Sequence, residues 1–381
     1  MIIRLLLKIA LRIYNVIVYV FNIFGSATII PLNWKLLIWN YRNWKTKRSN
    51  LIEWNYHMIF TDEVIGSYGL CVINPNKLPV IPKGLIFMAY GVFKKTQKPF
   101  TLFRMIPISS MTDSKSWPSS TKNPMEFQYI SEKQCRIQIT NADWSVDLDI
   151  TDTASQLSTY LINDNNMGPL GQHWTVTNPW ESSATTVTGT VATIKPDGST
   201  QPPRSLSGRA YFENSGGCTF LINMSWFFLV HASEDFSFSF QSYYRSPSLT
   251  ELLLSHDNKQ MIFDHKQMKI SDIDEFVYDL RDYNQLVPKT CKIVATNATH
   301  KLVLNFATEH YVEAEKHNPG EKTNVFFKSF FIMCLVGRVS ATLTNLESDE
   351  APIKFDEREF CGEYAKHNLF HASISDIFLP K

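Results

Sequence analysis

The chain holds ten histidines and six cysteines, the residue types most often recruited as metal ligands, nucleophiles and proton carriers. Their spacing offers no contiguous motif. His256 and His265 stand nine residues apart with Asp264 beside the second, and a zinc site would need a third protein ligand. Cys71, Cys135, Cys218, Cys291, Cys334 and Cys361 are far apart, with no C-x-x-C pair among them. Cys334 lies in the apolar run Phe330–Leu335, so these cysteines read as buried free thiols; disulfides would require an oxidising compartment. There is no G-x-S-x-G nucleophile elbow and no glycine-rich phosphate loop. The pattern implies no metal and no cofactor. Asn223-Met224-Ser225 and Asn297-Ala298-Thr299 match the glycosylation sequon, both within strand-like stretches.

Any chemistry must therefore come from side chains that the fold brings together, and the chain divides into two unlike parts. Its 381 residues carry 37 basic and 36 acidic side chains, a net of +1. That balance is a cancellation. Residues 1–52 contain eight basic side chains and no acid, which leaves 29 basic against 36 acidic residues in the remainder, a net of −7. Arg4, Lys8 and Arg12 fall at helical spacing, and Asn15, Tyr19 and Asn22 continue the line. A helix there would carry a narrow polar stripe on an apolar cylinder, the form of an interfacial membrane helix. The uncharged stretch Ile13–Trp34 is 22 residues, long enough to span a bilayer, with Gly25 and Pro31 interrupting it. A cleaved signal peptide ending at Gly25-Ser26-Ala27 is the rival reading. Trp34, Trp39, Trp44 and Trp54, interleaved with Lys35, Arg42, Lys45, Lys47 and Arg48, suit the headgroup zone. No RNA- or DNA-binding module follows, so residues 1–50 read as a membrane-associating segment and not a nucleic-acid surface.

From Glu53 onward the dominant period is two. Trp144, Val146, Leu148 and Ile150 alternate with Ser145, Asp147 and Asp149; Phe236, Phe238 and Phe240 alternate with Ser237, Ser239 and Gln241; Leu302, Leu304 and Phe306 alternate with Val303 and Asn305. Strands with one packed face and one wet face are expected. Turn signals recur at Asn74-Pro75-Asn76, Pro196-Asp197-Gly198, His256-Asp257-Asn258 and His317-Asn318-Pro319-Gly320, while Ser109–Asn123 and Asn163–Ser183 read as polar surface loops. Many short strands, few helices and 26 phenylalanines indicate an all-β chain of antiparallel barrels or sandwiches, about two units in length.

Several segments, in order, resemble the carotenoid 1,2-hydratase-like superfamily of paired lipocalin-like barrels, which includes the survival-factor proteins and the fungal lipocalin-like Diels–Alderases. Glu53-Trp54-Asn55-Tyr56 with Gly66-Ser67-Tyr68-Gly69 is similar to the opening strand pair, and Trp174-Thr175-Val176 with Val187-Thr188-Gly189 to a later tryptophan and V-x-G strand. Leu206–Gly216 resembles the segment that usually reads G-x-x-Y-x-D-H-x-W-G, and Ser225-Trp226-Phe227-Phe228 stands where W-D-W-F is common. Tyr244-Arg245 is similar to the family's next strand end. Gly337-Arg338-Val339 and Cys361-Gly362-Glu363-Tyr364 are similar to the closing segments.

The resemblance implies two consecutive lipocalin-like barrels, residues 51–217 and 218–381, and the polar stripe on the apolar leader places an N-terminal hydrophobic or amphipathic helix before them. In hydratase-like members the aspartate of the D-H pair protonates an alkene. Here that pair is Glu213-Asn214, so the acid is a methylene longer and its neighbour cannot carry a proton. Glu213 and Asn214 are thus the candidate catalytic pair, and Tyr68, Tyr211, Trp226 and Phe228 the candidate lining of a ligand cavity. The function expected is a membrane-attached protein that binds or carries an apolar small molecule such as a lipid, sphingolipid or isoprenoid. Arg4, Lys8, Arg12, Trp34, Trp39 and Trp44 would contact the membrane. The alternative is a cofactor-independent hydratase, isomerase or cyclase acting on a terpenoid or polyketide-like substrate; a third reading is a protein-interaction platform.

Overall fold

The structure, a computed structural model, describes residues 52–73, 84–106, 116–117, 125–131, 134–140, 143–152, 157–162, 173–179, 185–218, 226–243, 250–257, 259–280, 283–313 and 330–367. The expectations for residues 1–50, including Arg4, Lys8, Arg12, Trp34, Trp39 and Trp44, lie outside the described residues. So do the turns at 74–76 and 317–320.

Two curled antiparallel sheets make up the fold, each a half-barrel. The first comprises β1 (Ile52–Thr61), β2 (Val64–Ile73), β3 (Gly84–Phe93), β4 (Lys98–Ile106), β5 (Ser116–Trp117), β6 (Met125–Ser131), β7 (Gln134–Thr140), β8 (Trp144–Asp152), β9 (Leu157–Ile162), β10 (His173–Pro179), β11 (Thr185–Thr193) and β12 (Arg204–Cys218). Its order is β4-β3-β2-β1-β12-β11-β8-β7-β6-β5, with β10 added to β12 and β9 to β10. The second comprises β13 (Trp226–Ala232), β14 (Phe236–Tyr243), β15 (Glu251–His256), β16 (Lys259–Asp264), β17 (Met268–Leu280), β18 (Tyr283–Thr296), β19 (His300–Glu313), β20 (Phe330–Asn345) and β21 (Ile353–His367), in the order β16-β15-β14-β13-β21-β20-β19-β18-β17. The two sheets share one plan: a four-strand meander opens each, and its first strand pairs with the last strand of the same sheet. A short 3-10 turn at His265–Gln267, capped by Asp264, joins β16 to β17.

Period-two patterning selects the inner faces as expected for strands. Trp144, Val146, Leu148 and Ile150 of β8 pack with Ile137, Ile139, Val187 and Leu206 in the first core. Leu302, Leu304 and Phe306 of β19 enter a second core filled by Phe227, Phe236, Phe238, Phe240, Phe263 and Phe360. Asn305 and Ala307 stay exposed, as the alternation predicts. The hairpins β11–β12 and β15–β16 turn at Asp197-Gly198 and Asp257, where Gly198 (φ 81°) and Asp257 (φ 49°) take the left-handed conformation.

Two expectations are corrected. The alternation predicts a wet face at Ser237, Ser239 and Gln241, yet all three are buried, because β14 is covered on both sides. The polar stretches expected as loops each contain a strand, β5 within one and β10 within the other. β10 is polar in composition but is held by main-chain pairing to β9 and β12, which side-chain hydropathy does not register.

Candidate functional site

Where the half-barrels meet, the strands β1, β2, β3, β12, β13, β20 and β21 bury both of their faces. Ile59 of β1, Ala89 of β3 and Ala210 of β12 point into the first core. Their neighbours Met58, Tyr90 and Tyr211 point the other way and are also buried. The register makes these one row, Tyr211 opposite Met58, Met58 opposite Ser67, and Ser67 opposite Tyr90. On the second sheet Phe227, Leu229, Phe360 and Tyr364 fill the core, while Phe228, Val230, Cys361 and Glu363 turn outward and are buried. Phe228 stands opposite Glu363, and Glu363 opposite Cys334. The two outward rows face each other across a shared seam.

Glu363 is the chemical centre of that seam. Its side chain is 6% exposed, a costly setting for a carboxyl group unless hydrogen bonds replace water. Two do. Tyr90, from the first half-barrel, donates its hydroxyl to one carboxyl oxygen. Trp226 donates its indole N–H to Oε2 at 3.1 Å. Alongside, Tyr211 donates its hydroxyl to Glu213 Oε2 at 2.8 Å, and its ring lies 5.6 Å from that of Phe228 on the other half-barrel. Burial falls from one end of the seam to the other: Tyr90, Tyr211 and Phe228 are buried, Trp226 and Glu213 only half-buried. Glu213 and Trp226 therefore stand at the more exposed end of the seam and Glu363 at its buried end. Ion pairs between Lys94 and Glu359 at 2.5 Å and between Arg209 and Glu234 at 3.6 Å clasp the rim.

Of the candidates taken from the sequence, Tyr211, Glu213, Trp226 and Phe228 converge on this seam. Asn214 follows in β12, in register with Asn55 and Thr177. Tyr68 is elsewhere: it packs inside the first half-barrel, opposite His57 and Ala89. Its hydroxyl is buried with no hydrogen-bond partner among the described residues, and burial raises its pKa. There His57 Nε2 lies 3.4 Å from Cys135 Sγ and its ring stacks on Phe212 at 4.8 Å. Burial lowers the His57 pKa to about 3 and raises that of Cys135 to about 12. The contact is therefore one between a neutral imidazole and a neutral thiol, not a thiolate–imidazolium pair, and it supplies no activated nucleophile. His256 instead donates to the carbonyl of Asp235 at 2.8 Å, and Asp264 caps the 3-10 turn. Among the described residues no group of three potential metal ligands gathers. Cys135, Cys291, Cys334 and Cys361 are buried free thiols.

Sequence reasoning missed Glu363 and Tyr90 as site residues. The signal for Glu363 was present: it is the one charged residue in the strand run Phe360–Ala365, and an acid held in such a run needs a partner. Tyr90 carries no such mark.

Comparison with known proteins bears on the fold. No protein-family model matches the chain, and no curated protein matches it. Among solved structures, an AttH-designated protein from Nitrosomonas europaea aligns at a TM-score of 0.54 with 10% identity, covering 91% of this chain and 98% of that one. Kievitone hydratase from Nectria haematococca aligns at 0.51 with 11% identity over 83% and 90% of the two chains. The protein CghA aligns at 0.51 with 11% identity over 84% and 89%. The tandem lipocalin-like fold implied by the sequence resemblance is the fold of this chain.

Proposed function

We propose that the protein binds an apolar small molecule of the lipid or isoprenoid class at the seam between its half-barrels, and that residues 1–50 hold it at a membrane. The observation that carries the reading is Glu363, a buried carboxyl group that accepts from Tyr90 and Trp226 on an interface whose buried residues include Met58, Tyr211, Phe228 and Val230. An apolar wall with a few oriented polar groups is the form of a small-molecule site. Apolar ligand surface buried there contributes roughly 25 cal/mol per Å². Each half-barrel interior is filled by its own buried side chains, the second chiefly by phenylalanines, which favours the seam. Among the described residues no helix is long and apolar enough to cross a membrane, so attachment rests on the Arg4–Lys8–Arg12 stripe and the tryptophans of residues 34–54.

The test is retention. Delipidated protein is incubated with a membrane lipid extract and examined by native mass spectrometry; a bound lipid is expected in the wild type, and in the Phe228→Asp variant its loss. An empty wild-type protein would refute the reading.

Glu363 also favours a second reading, an enzyme that protonates an alkene. Kievitone hydratase, whose fold this chain shares, is by name a hydratase. Protonated, Glu363 or Glu213 could deliver a proton while the rings of Tyr211, Trp226 and Phe228 face the developing cation. Glu363→Gln and Glu213→Gln separate the two: turnover lost with binding kept marks the enzyme, and both kept marks the carrier.

A further inference from the structure

We infer that Cys334 and Cys361 are a modification site, a thiol pair that a peroxide closes to a reversible disulfide. Their sulfurs lie 4.0 Å apart on neighbouring strands β20 and β21, on the seam face, and both side chains are 0% exposed. In register Cys334 faces Glu363 and Cys361 faces Val336, so the two are diagonal neighbours. Bond formation requires an S–S distance of about 2.0 Å, which a side-chain rotation with a small strand adjustment can supply. The same strand pair shifts register further along, between Val339 and Ala341. The resulting bond is strained, and strained disulfides are the ones thiols reduce readily.

The chemistry balances with peroxide as the oxidant. One thiol gives up its proton and, as thiolate, attacks a peroxide oxygen; the O–O bond breaks, the departing hydroxide takes up that proton as water, and a sulfenic acid is left. The second sulfur then attacks the first, forming the S–S bond and expelling a second water. Two thiols and one peroxide give one disulfide and two waters, with two electrons passing from sulfur to oxygen. Burial, reinforced by contact with Cys361, holds the Cys334 thiol well above its ordinary pKa. The closed seam therefore keeps the pair protonated and slow, and reaction follows its opening. Linking β20 to β21 beside Glu363 alters the strand pair that presents the carboxyl group. That consequence rests on the seam being the ligand site; the disulfide itself does not.

The full chain is treated with hydrogen peroxide, quenched, digested without reduction and examined by mass spectrometry. A peptide joining Cys334 to Cys361 is expected, two hydrogens lighter than the sum of its parts and cleaved by dithiothreitol, and it is absent from Cys361→Ala. Should both thiols remain alkylatable in the folded protein, over-oxidise singly, or link only between chains, the inference is overturned. In a second arm farnesol is added first. Several-fold slower crosslinking supports the coupling to a seam ligand. An unchanged rate with the link still formed counts against farnesol-class occupancy of the seam and leaves the disulfide standing.

Discussion

Glu363 is held by donors from both half-barrels, and the consequences of altering it differ by atom. In Glu363→Leu the Tyr90 hydroxyl and Trp226 indole N–H lose a shared acceptor, and a buried polar group left unpaired costs about 1–3 kcal/mol. Glu363→Gln keeps an acceptor oxygen and is expected to lose less than half as much, as urea unfolding of the two variants would report. The buried histidines set a pH dependence. His231, wedged at the seam against Phe60 at 5.6 Å, bonds the Glu359 carbonyl and Ser233, and burial lowers its pKa from 6.5 to about 4. His57 is lowered to about 3. Above pH 6.5 neither contributes. Below it the unfolded chain takes up a proton that the folded chain refuses, so stability falls towards pH 4 by about 1.4 kcal/mol per pH unit for each histidine. Glu251, raised by burial, works in the opposite direction, so the clean measurement compares wild type with His231→Gln: the variant should show a visibly shallower loss between pH 7 and 5. The resemblance of short strand segments was enough to nominate Tyr211, Glu213, Trp226 and Phe228. Tyr90 was not legible, because its partner is 273 residues away and nothing local to β3 marks a hydroxyl with a distant acid.

Strands supply that placement. Gly362 sits between Cys361 and Glu363, and a Cβ there would collide with the carbonyl oxygen of Phe228 and come within 2.6 Å of Leu229 Cδ2. β21 can lie this close to β13 only with hydrogen at that position, and the closeness aligns Glu363 with Phe228. Gly362→Ala is expected to cost about 1–3 kcal/mol or more, as overpacking does, and to weaken ligand retention beyond what its stability loss explains. Period-two patterning made β8 and β19 legible, since each has one wet face. It assigned β14 one face too few, because Ser237 and Ser239 are small enough to be covered, and their polarity reads as solvent exposure when only the strand itself is considered. β10 was invisible for the converse reason: its stability comes from pairing with β9 and β12.

At the scale of the molecule, the seam unites two cores that are otherwise separate. Phe228→Ala removes the ring that Tyr211 packs against, and calorimetry should show the half-barrels unfolding less cooperatively, with two resolved transitions where the wild type has one. The rim pairs Lys94–Glu359 and Arg209–Glu234 are partly exposed, and Lys94→Ala should cost under about 1 kcal/mol. The charge split predicts a second behaviour. If the +8 of residues 1–52 meets anionic headgroups, binding to phosphatidylserine vesicles should weaken as salt rises and vanish when residues 1–50 are deleted. The seam also governs how freely the chain can vary. β7, β8 and β19 each leave alternate residues exposed or half-buried, so every second position there can accept many polar side chains. β1, β3, β13 and β21 spend both faces, one on a half-barrel core and one on the seam. In a saturation mutagenesis library selected for folding, those strands should form unbroken tracts of intolerance, and the map of forbidden substitutions would trace the seam with no ligand present.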